Sequence, residues 1–474
     1  MTYKETIEYL YNSTPVFEHV GASAYKEGLE NTWILDKHYG HPHRQYQTIH
    51  VAGTNGKGSC SHTIASILQE AGYKVGLYTS PHLVDFRERI RINGKCISKK
   101  YVVDFVENFI RWNNSPSPVN QHPSPNISKR PNDQTTKRLN DQTTKRPNDQ
   151  TTKRPNDQTT KRPNDQTTKR LYPSFFELTT ALAFKYFADE QVDVAVIEVG
   201  LGGRLDCTNI ITPILSIITN ISFDHTGLLG DTLAKIAAEK AGIIKHGVPV
   251  VIGEYTDETR PVFEEKATAV GAPIFFAQDE DELGSDLDFE LKGDYQARNK
   301  QTILTALKVL RESKTNLVPS LSHSLVPTTI RNGLANVCKN TGLMGRWQII
   351  QEHPKVICDT GHNIGGWRYL SKQIAAEPCQ QLRIVFGMVD DKDIDAVMEL
   401  LPKHAVFYWT QADNHRAIPA DSVAQKAESH QLNGRIYNKV EDAYHAAIAD
   451  ASPDDFIFVG GSSYIVADFL TAIL

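Results

Sequence analysis

Between Gln47 and Gly72 the chain runs from an apolar strand through Val51-Ala52-Gly53-Thr54-Asn55-Gly56-Lys57-Gly58-Ser59 into a helix. Cys60, Ile64, Ile67, Leu68 and Ala71 share one face of that helix at i, i+4, i+7, i+8 and i+11. Gly53, Gly56 and Gly58 allow a tight turn whose N–H groups point at phosphate oxygens, and the helix adds its positive N-terminal end. Lys57 places a point charge on the outer phosphates, and Ser59 is positioned to ligate magnesium. The spacing departs from G-x-x-x-x-G-K-[ST], since Gly53 lies three residues ahead of Gly56 and Gly58 intervenes before Ser59. A glycine-rich turn that binds nothing is the plainer alternative. The lysine and hydroxyl, nearly in register, favour a nucleotide triphosphate.

The chain has 474 residues and 40% hydrophobic content, enough for two or three domains with a large core. No run of eighteen apolar residues occurs, and Met1-Thr2-Tyr3-Lys4-Glu5 lacks a secretory layout, which points to the cytoplasm and away from a membrane. Cys60, Cys96, Cys207, Cys338, Cys358 and Cys379 are scattered with no Cys-x-x-Cys pair, as suits reduced thiols. A formal charge of −5 argues against nucleic-acid binding. The expected partners are small molecules, and the expected state is a monomer.

Residues 131–170 are five tandem octapeptides, Pro-Asn-Asp-Gln-Thr-Thr-Lys-Arg four times with one variant opening on Leu139. Over 113–170 the apolar content is essentially Val119, Ile127 and Leu139, too little to offset the entropy of ordering. A disordered low-complexity surface insert is therefore expected over 113–170. It carries a net charge of +7, leaving −12 on the remainder. A tolerated insertion outweighs a docking tract, because long loops lose stability only slowly with length.

Outside the insert, 75–79, 192–199, 214–220 and 248–252 read as β-branched strands, with amphipathic helices at 174–187 and 233–244 between them. The alternation predicts an α/β fold: a P-loop-containing, mostly parallel sheet domain over 1–341, followed by a smaller Rossmann-like α/β domain over 342–474. In the second part, strands at 356–359, 383–387, 405–409 and 456–460 alternate with helices at 367–375, 394–401, 422–429 and 443–449. Sites should lie at strand carboxyl ends and in the cleft between the two parts.

Glu198 ends an apolar strand, where a magnesium ligand would be needed; a solvent-facing glutamate is the alternative. Arg204 and Asp206 follow in a glycine-rich loop and could hold a substrate carboxylate and a polar ring edge, or form a loop salt bridge. Asp224 and His225 reach the same rim, and His225 could donate a nitrogen to a divalent ion or be an ordinary hydrogen-bonded histidine. Composition alone makes Lys240 a surface lysine paired with an acid. If buried it could lose its proton and take up carbon dioxide as a carbamate. Arg346 could stabilise a transferred phosphoryl group or be a surface arginine, and Asp359 and His362 could contact the nucleotide across the cleft. For the polar loop 387–393 a solvated charge cluster is preferred.

Together, residues 51–59, Thr79-Ser80-Pro81-His82-Leu83, Phe176-Glu177, 198–206, Asp224-His225, Glu239-Lys240-Ala241-Gly242, Gly345-Arg346-Trp347, 359–363 and 387–393 resemble the folylpolyglutamate synthase and dihydrofolate synthase family of Mur ligases. The resemblance implies an ATP-dependent ligase that joins L-glutamate to dihydropteroate or to folates. It implies that Gly53, Thr54, Asn55, Gly56, Lys57, Gly58 and Ser59 bind ATP phosphates, and that Ser80, Glu198 and His225 hold Mg2+. Lys240 would be carbamylated, and Asn299, Arg346, Asp359 and His362 would face ATP. Phe176, Glu177, Arg204 and Asp206 would line the pterin or folate pocket. Thr360-Gly361 and Ile364 depart from the family's usual Asp-Gly/Val-Ala-His-Asn-Pro loop. Lys57, Lys240 and Arg346 are the expected catalytic groups. A peptidoglycan Mur ligase and a nucleotide-binding module without activity are the competing readings.

Overall fold

The computed structural model describes residues 1–12, 28–115, 170–281, 284, 286–312, 324–390 and 392–473. The tandem repeats therefore lie outside the described residues, as does Asp391 of the 387–393 loop. Two α/β sheets carry the described chain. The first has eight strands: β1 (Gln47–Ala52), β2 (Val75–Tyr78), β3 (Ile90–Ile92), β4 (Lys95–Cys96), β5 (Val194–Glu198), β6 (Leu215–Ile218), β7 (Val250–Ile252) and β8 (Ile274–Phe276), in the order β4-β3-β2-β5-β1-β6-β7-β8. The second has six: β9 (Gln348–Glu352), β10 (Lys355–Asp359), β11 (Leu382–Phe386), β12 (Val406–Trp409), β13 (Gly434–Ile436) and β14 (Phe456–Gly460), in the order β13-β12-β11-β14-β10-β9.

Strand β1 sits at the centre of the first sheet, parallel to both neighbours, with Val51 opposite Glu198 on one side and Ile217 on the other. Successive side chains alternate between faces, and both faces are covered. Ile49 and Val51 join Ile64, Leu68, Ile303 and Leu307 of the helices Lys57–Glu70 and Asp294–Glu312 in one core. On the other face Ala52, Ile218 and Ile252 join Ala237, Ala241 and Phe263. The second sheet repeats this plan, with Trp367, Leu370 and Ile374 on one face and Ala443, Ile465 and Phe469 on the other.

The expected strands are present; in the first sheet each is trimmed by one to three residues, while in the second they match within one residue at either end. Asn220, beyond the end of β6, accepts the Asn55 N–H at 2.9 Å instead of extending the strand. The helix expected to run to residue 244 stops at Ala241, where the chain tightens: the N–H groups of Gly242, Ile243 and Ile244 donate to the carbonyls three residues back, of Glu239, Lys240 and Ala241. Sequence reading missed five short strands at or near the sheet edges: the antiparallel β3, β4 and β9, and the parallel β8 and β13. In the antiparallel three the cause is visible. They are short and carry Arg91, Lys95, Gln351 and Glu352, the charged and polar character that keeps sheet edges from pairing further.

The described ends of the insert are held together. Asn113 is the last residue of the helix Lys99–Asn113, one position inside the expected disordered stretch. Its amide donates to the Leu171 carbonyl and accepts the Leu171 N–H, both at 2.8 Å. By contacts, 108–171 forms a unit apart from the body made of 1–107 and 172–474.

Candidate active site

The turn after β1 is shaped by close approach. Gly53 and Gly56 have φ of 146° and 82°, and added Cβ atoms would lie 1.9 Å from Thr219 Oγ1 and 2.3 Å from Asn299 Oδ1. A side chain at either position would be strained and would collide. Gly56 caps the helix Lys57–Glu70. Thr219 Oγ1 donates to the Asn55 carbonyl at 2.6 Å. Ser59 Oγ accepts from Gln296 Nε2 at 3.1 Å, and Gln296 Oε1 accepts from Asn299 Nδ2 at 2.8 Å. Gln296, absent from the sequence reading, thus locks the long helix Asp294–Glu312 to the loop. No local motif announces it.

Lys57 Nζ donates to the Gly53 carbonyl at 3.1 Å and to the Thr54 carbonyl at 3.0 Å. Lys240 Nζ reaches the same Gly53 oxygen at 2.8 Å. Burial, and then the Lys57 charge, bring Lys240 down to a pKa of about 7. Composition had placed Lys240 on the surface with an acid for partner; it is buried and bound to a carbonyl. The cause lies in Gly203, where a Cβ would stand 2.8 Å from the Glu239 carbonyl, so the 200–206 loop can lie directly on the Lys240 helix.

Glu198 is buried at the end of β5 and accepts the Ser80 N–H at 3.3 Å. Burial raises its carboxyl to about 7 against the pull of Lys57 and Arg346. Arg346 Nη2 and Glu198 Oε2 would lie 3.6 and 3.8 Å from a Gly58 Cβ, so the two flank the first turn of the helix. Arg346 also donates to the Gly345 carbonyl at 3.0 Å and to Thr360 Oγ1.

Two cavities meet here. The first, about 560 Å³, is lined by the 54–59 loop, Ser80, Glu198, Asn299, Arg346, Asp359 and His362. The second, about 290 Å³, is lined among others by Phe176, Glu177, Asp206, His225, Lys240 and Lys392. Thr54, Lys57, Ser80, Pro81 and His362 line both. Of the expected metal ligands, Ser80 therefore borders both spaces, Glu198 the first and His225 the second. Among the described residues no cluster of three or more His, Cys, Asp or Glu side chains could hold a metal. The hydroxyls of Ser59 and Ser80 with the Glu198 carboxylate form an oxygen set that fits a hard cation which keeps several other ligands.

In the second cavity Phe176 stacks on Tyr78 at 5.8 Å, and its ring fills the space where a Gly200 Cβ would be, 2.3 Å away. Glu177 caps its own helix, accepting the Ser174 N–H at 2.6 Å, and also accepts from Asn31 at 3.3 Å. Asp206 is buried and accepts the Leu201 N–H at 2.9 Å and the Thr208 N–H at 3.0 Å. Arg204 is half exposed, pairs with Glu239 at 2.9 Å and does not line this cavity. The loop salt bridge weighed for it is what the structure contains.

Across the cleft, Asp224 accepts from Lys392 Nζ at 2.5 Å and from Asn363 Nδ2 at 3.2 Å, with His362 Nε2 at 3.5 Å. The hydrogen bond with His362 and the Lys392 charge hold the Asp224 carboxyl well below the usual range despite its burial. The polar loop 387–393 is thus not a solvated charge cluster at Lys392, whose side chain is 8% exposed. Its partner lies 168 residues away, beyond any local reading. Asp359 accepts from Tyr295 OH at 2.8 Å, Trp347 N–H at 2.7 Å and Gly361 N–H at 2.8 Å, and so braces the loop that carries Arg346 and His362.

A glycine-rich loop facing a second α/β unit across a cleft, with Lys57 at the junction of two cavities and Arg346 in the larger, suits an ATP-dependent amide-forming ligase, and the family matches make it one of the Mur type. Residues 158–316 match the Mur ligase middle domain, and residues 345–463 the Mur ligase glutamate ligase domain. The chain is 31% identical to the folylpolyglutamate synthase of Lacticaseibacillus casei over 98% of its own length and 97% of that protein's. It superimposes on Escherichia coli FolC in complex with DHPP and ADP with a TM-score of 0.76 and 27% identity, covering 100% of this chain and 98% of that one. A bifunctional folylpolyglutamate synthase/dihydrofolate synthase with Mn, AMPPNP and L-glutamate bound gives a TM-score of 0.73 at 26% identity, covering 100% and 98%. The chain belongs to the folylpolyglutamate synthase and dihydrofolate synthase family. Among the described residues no helix is long and apolar enough to cross a membrane.

Proposed function

We propose that the enzyme adds L-glutamate to dihydropteroate, to the γ-carboxylate of reduced folates, or to both, through an acyl phosphate. The observation that carries this reading is the shared wall of the two cavities. Lys57 and Ser80 border both, so a terminal phosphate in the larger space and a carboxylate in the smaller one would meet beside them. The acceptor carboxylate would attack the γ-phosphorus of ATP and expel ADP, with Lys57 and Arg346 spreading the transferred charge. The amine of L-glutamate would attack the resulting acyl carbon, lose a proton and displace phosphate. No enzyme nucleophile is needed. Enclosure by the two sheets would keep water from the acyl phosphate.

Ser59, Ser80 and Glu198 would hold Mg2+, with His225 contributing from the neighbouring cavity; when bound, the ion neutralises charge on the phosphates. Phe176 and Asp206 would face the pterin, with Glu177 behind them. Arg204 would have to leave Glu239 to take part. Lys240, with a pKa near 7 and a place beside Lys57, supports carbamylation: its neutral amine would add to carbon dioxide and release one proton, turning a repelling cation into an anion. The six free cysteines support a reducing, cytoplasmic setting.

The deciding experiment supplies ATP, Mg2+ and L-glutamate with dihydropteroate or tetrahydrofolate in separate reactions. Glutamate-dependent ADP release with one acceptor or both is expected. Release with neither acceptor refutes the proposal. A peptidoglycan precursor as the sole acceptor would move the enzyme to the alternative class.

A further inference from the structure

His50 is out of place by the rules that build its strand. β1 is buried on both faces, and its other central side chains, Ile49, Val51 and Ala52, are apolar. An imidazole there is costly unless it is bound. His50 Nε2 lies 2.9 Å from Thr208 Oγ1, while His50 Nδ1 has no hydrogen-bond partner. Thr208 Oγ1 in turn donates to Asp206 Oδ1.

The proton count fixes the direction of this chain. An ionised carboxylate can only accept, so the single Thr208 proton goes to Asp206. Thr208 must then accept from His50, which places the imidazole proton on Nε2 and leaves Nδ1 as a bare lone pair. Burial, with Lys245 nearby, lowers His50 to a pKa of about 3, consistent with a neutral ring. Oδ1 of Asp206 is occupied by the N–H and hydroxyl of Thr208, whereas Oδ2, which accepts from Leu201, keeps acceptor capacity at the cavity wall.

We propose that His50, acting through Thr208, is a positioning residue that keeps Asp206 ionised and oriented as the acceptor for N–H donors of a 2-amino-4-oxopteridine ring. The proposal rests on the reading of the smaller cavity as the acceptor site. His50 does not touch the substrate; its effect is transmitted by one hydroxyl.

The test compares Thr208→Val with Thr208→Ser, and His50→Leu with His50→Gln, whose amide can replace the Nε2 donor. Dihydropteroate binding is measured by fluorescence titration, and KM for acceptor and ATP from pH 6 to 9. Thr208→Val should raise the acceptor Kd and KM about tenfold, the effect of one lost charge-assisted hydrogen bond. His50→Leu should raise them in the same direction by less, because Thr208 keeps its proton on Asp206 but loses the donor that orients it; both leave the ATP KM unchanged. In Thr208→Val the acceptor KM should also climb as pH falls, because Asp206 is already raised by burial and loses the hydroxyl that opposes this. Serine and glutamine should recover most of the loss. Unchanged, pH-flat acceptor binding in Thr208→Val overturns the proposal, as does an equal loss of ATP affinity. If His50→Leu does not fold, the two Thr208 variants decide. Wild-type enzyme that does not bind dihydropteroate, or Asp206→Asn with unaltered acceptor affinity, would instead overturn the reading of the cavity.

Discussion

The two sheets share a plan and differ in what they bring to the reaction. In the first, the ends of β1, β5 and β6 carry the phosphate loop, Glu198 and the Asp224-His225 segment, and these groups are tied by short-range bonds into one rim. The second contributes from its loops: Arg346 and the 359–363 turn braced by Asp359, and Lys392 after β11. The first sheet is therefore a preformed anion seat. The second supplies cations whose position depends on its contact with the first, through Asp224 and through Asn55, whose Nδ2 donates to Asn363 Oδ1 at 3.3 Å. Under the proposed function, binding of the triphosphate and completion of the charged site would be separable between the two halves.

That division can be broken by substitution. Lys57→Ala should have the largest effect, lowering kcat by about 10³-fold or more with either acceptor, since the lysine borders both cavities. Steady-state turnover checks this, and near-normal kcat would remove the first sheet from the chemistry. Arg346→Ala should lower kcat by about 10²-fold while nucleotide affinity stays within a few fold, as expected of a group that acts on transferred charge. Equal losses in kcat and ATP binding would make it part of the seat.

Lys392→Ala probes the contact itself. It leaves Asp224 buried beside the remaining histidine and amides, and kcat/KM should fall about tenfold, with a stronger dependence on salt than in the wild type. Loss confined to thermal stability would show the pair to be structural.

Glu198 sharpens the comparison through pH. Its folded pKa of about 7 exceeds the ordinary carboxylate value of 4.5, so between these pH values Glu198 holds a proton in the folded protein that it lacks in the unfolded chain. The Glu198 contribution to the stability of the metal-free protein should therefore fall as pH rises through that window, by about 3 kcal/mol. His50, lowered from 6.5 to about 3, contributes in the opposite sense, so the Glu198 part is read as the difference between wild type and Glu198→Gln. Glu198→Gln should flatten the decline, giving a variant more resistant to urea at pH 8 in EDTA, with little gain at pH 5, and nearly inactive. A stability difference between wild type and Glu198→Gln that stays constant from pH 5 to 8 contradicts the assignment. Excision of residues 116–169 should have the smallest effect, with kcat and both KM values within about twofold, because the flanking Asn113 and Leu171 are already joined by two hydrogen bonds.

Legibility in the sequence followed the range of the interactions. The phosphate loop, the parallel strands and the strand-end placement of Glu198 are local patterns, and each could be read from spacing and β-branching. Lys240 was read wrongly from its own helix because its burial is imposed by the Gly203 loop. Lys392 was read only as part of a solvated polar loop, and Gln296 was not singled out, because their partners, Asp224 and Ser59, are 168 and 237 residues away. Arg204 is the converse: its place in a family motif gave it a binding role, while the structure pairs it with Glu239.

The double hydrogen bond between Asn113 and Leu171 has a practical meaning. Departure and return points a single residue's width apart make this locus a natural socket. A fluorescent protein or an affinity domain whose own termini are adjacent could be spliced there in place of the octapeptides, reporting on the enzyme in cells without strain on the catalytic body.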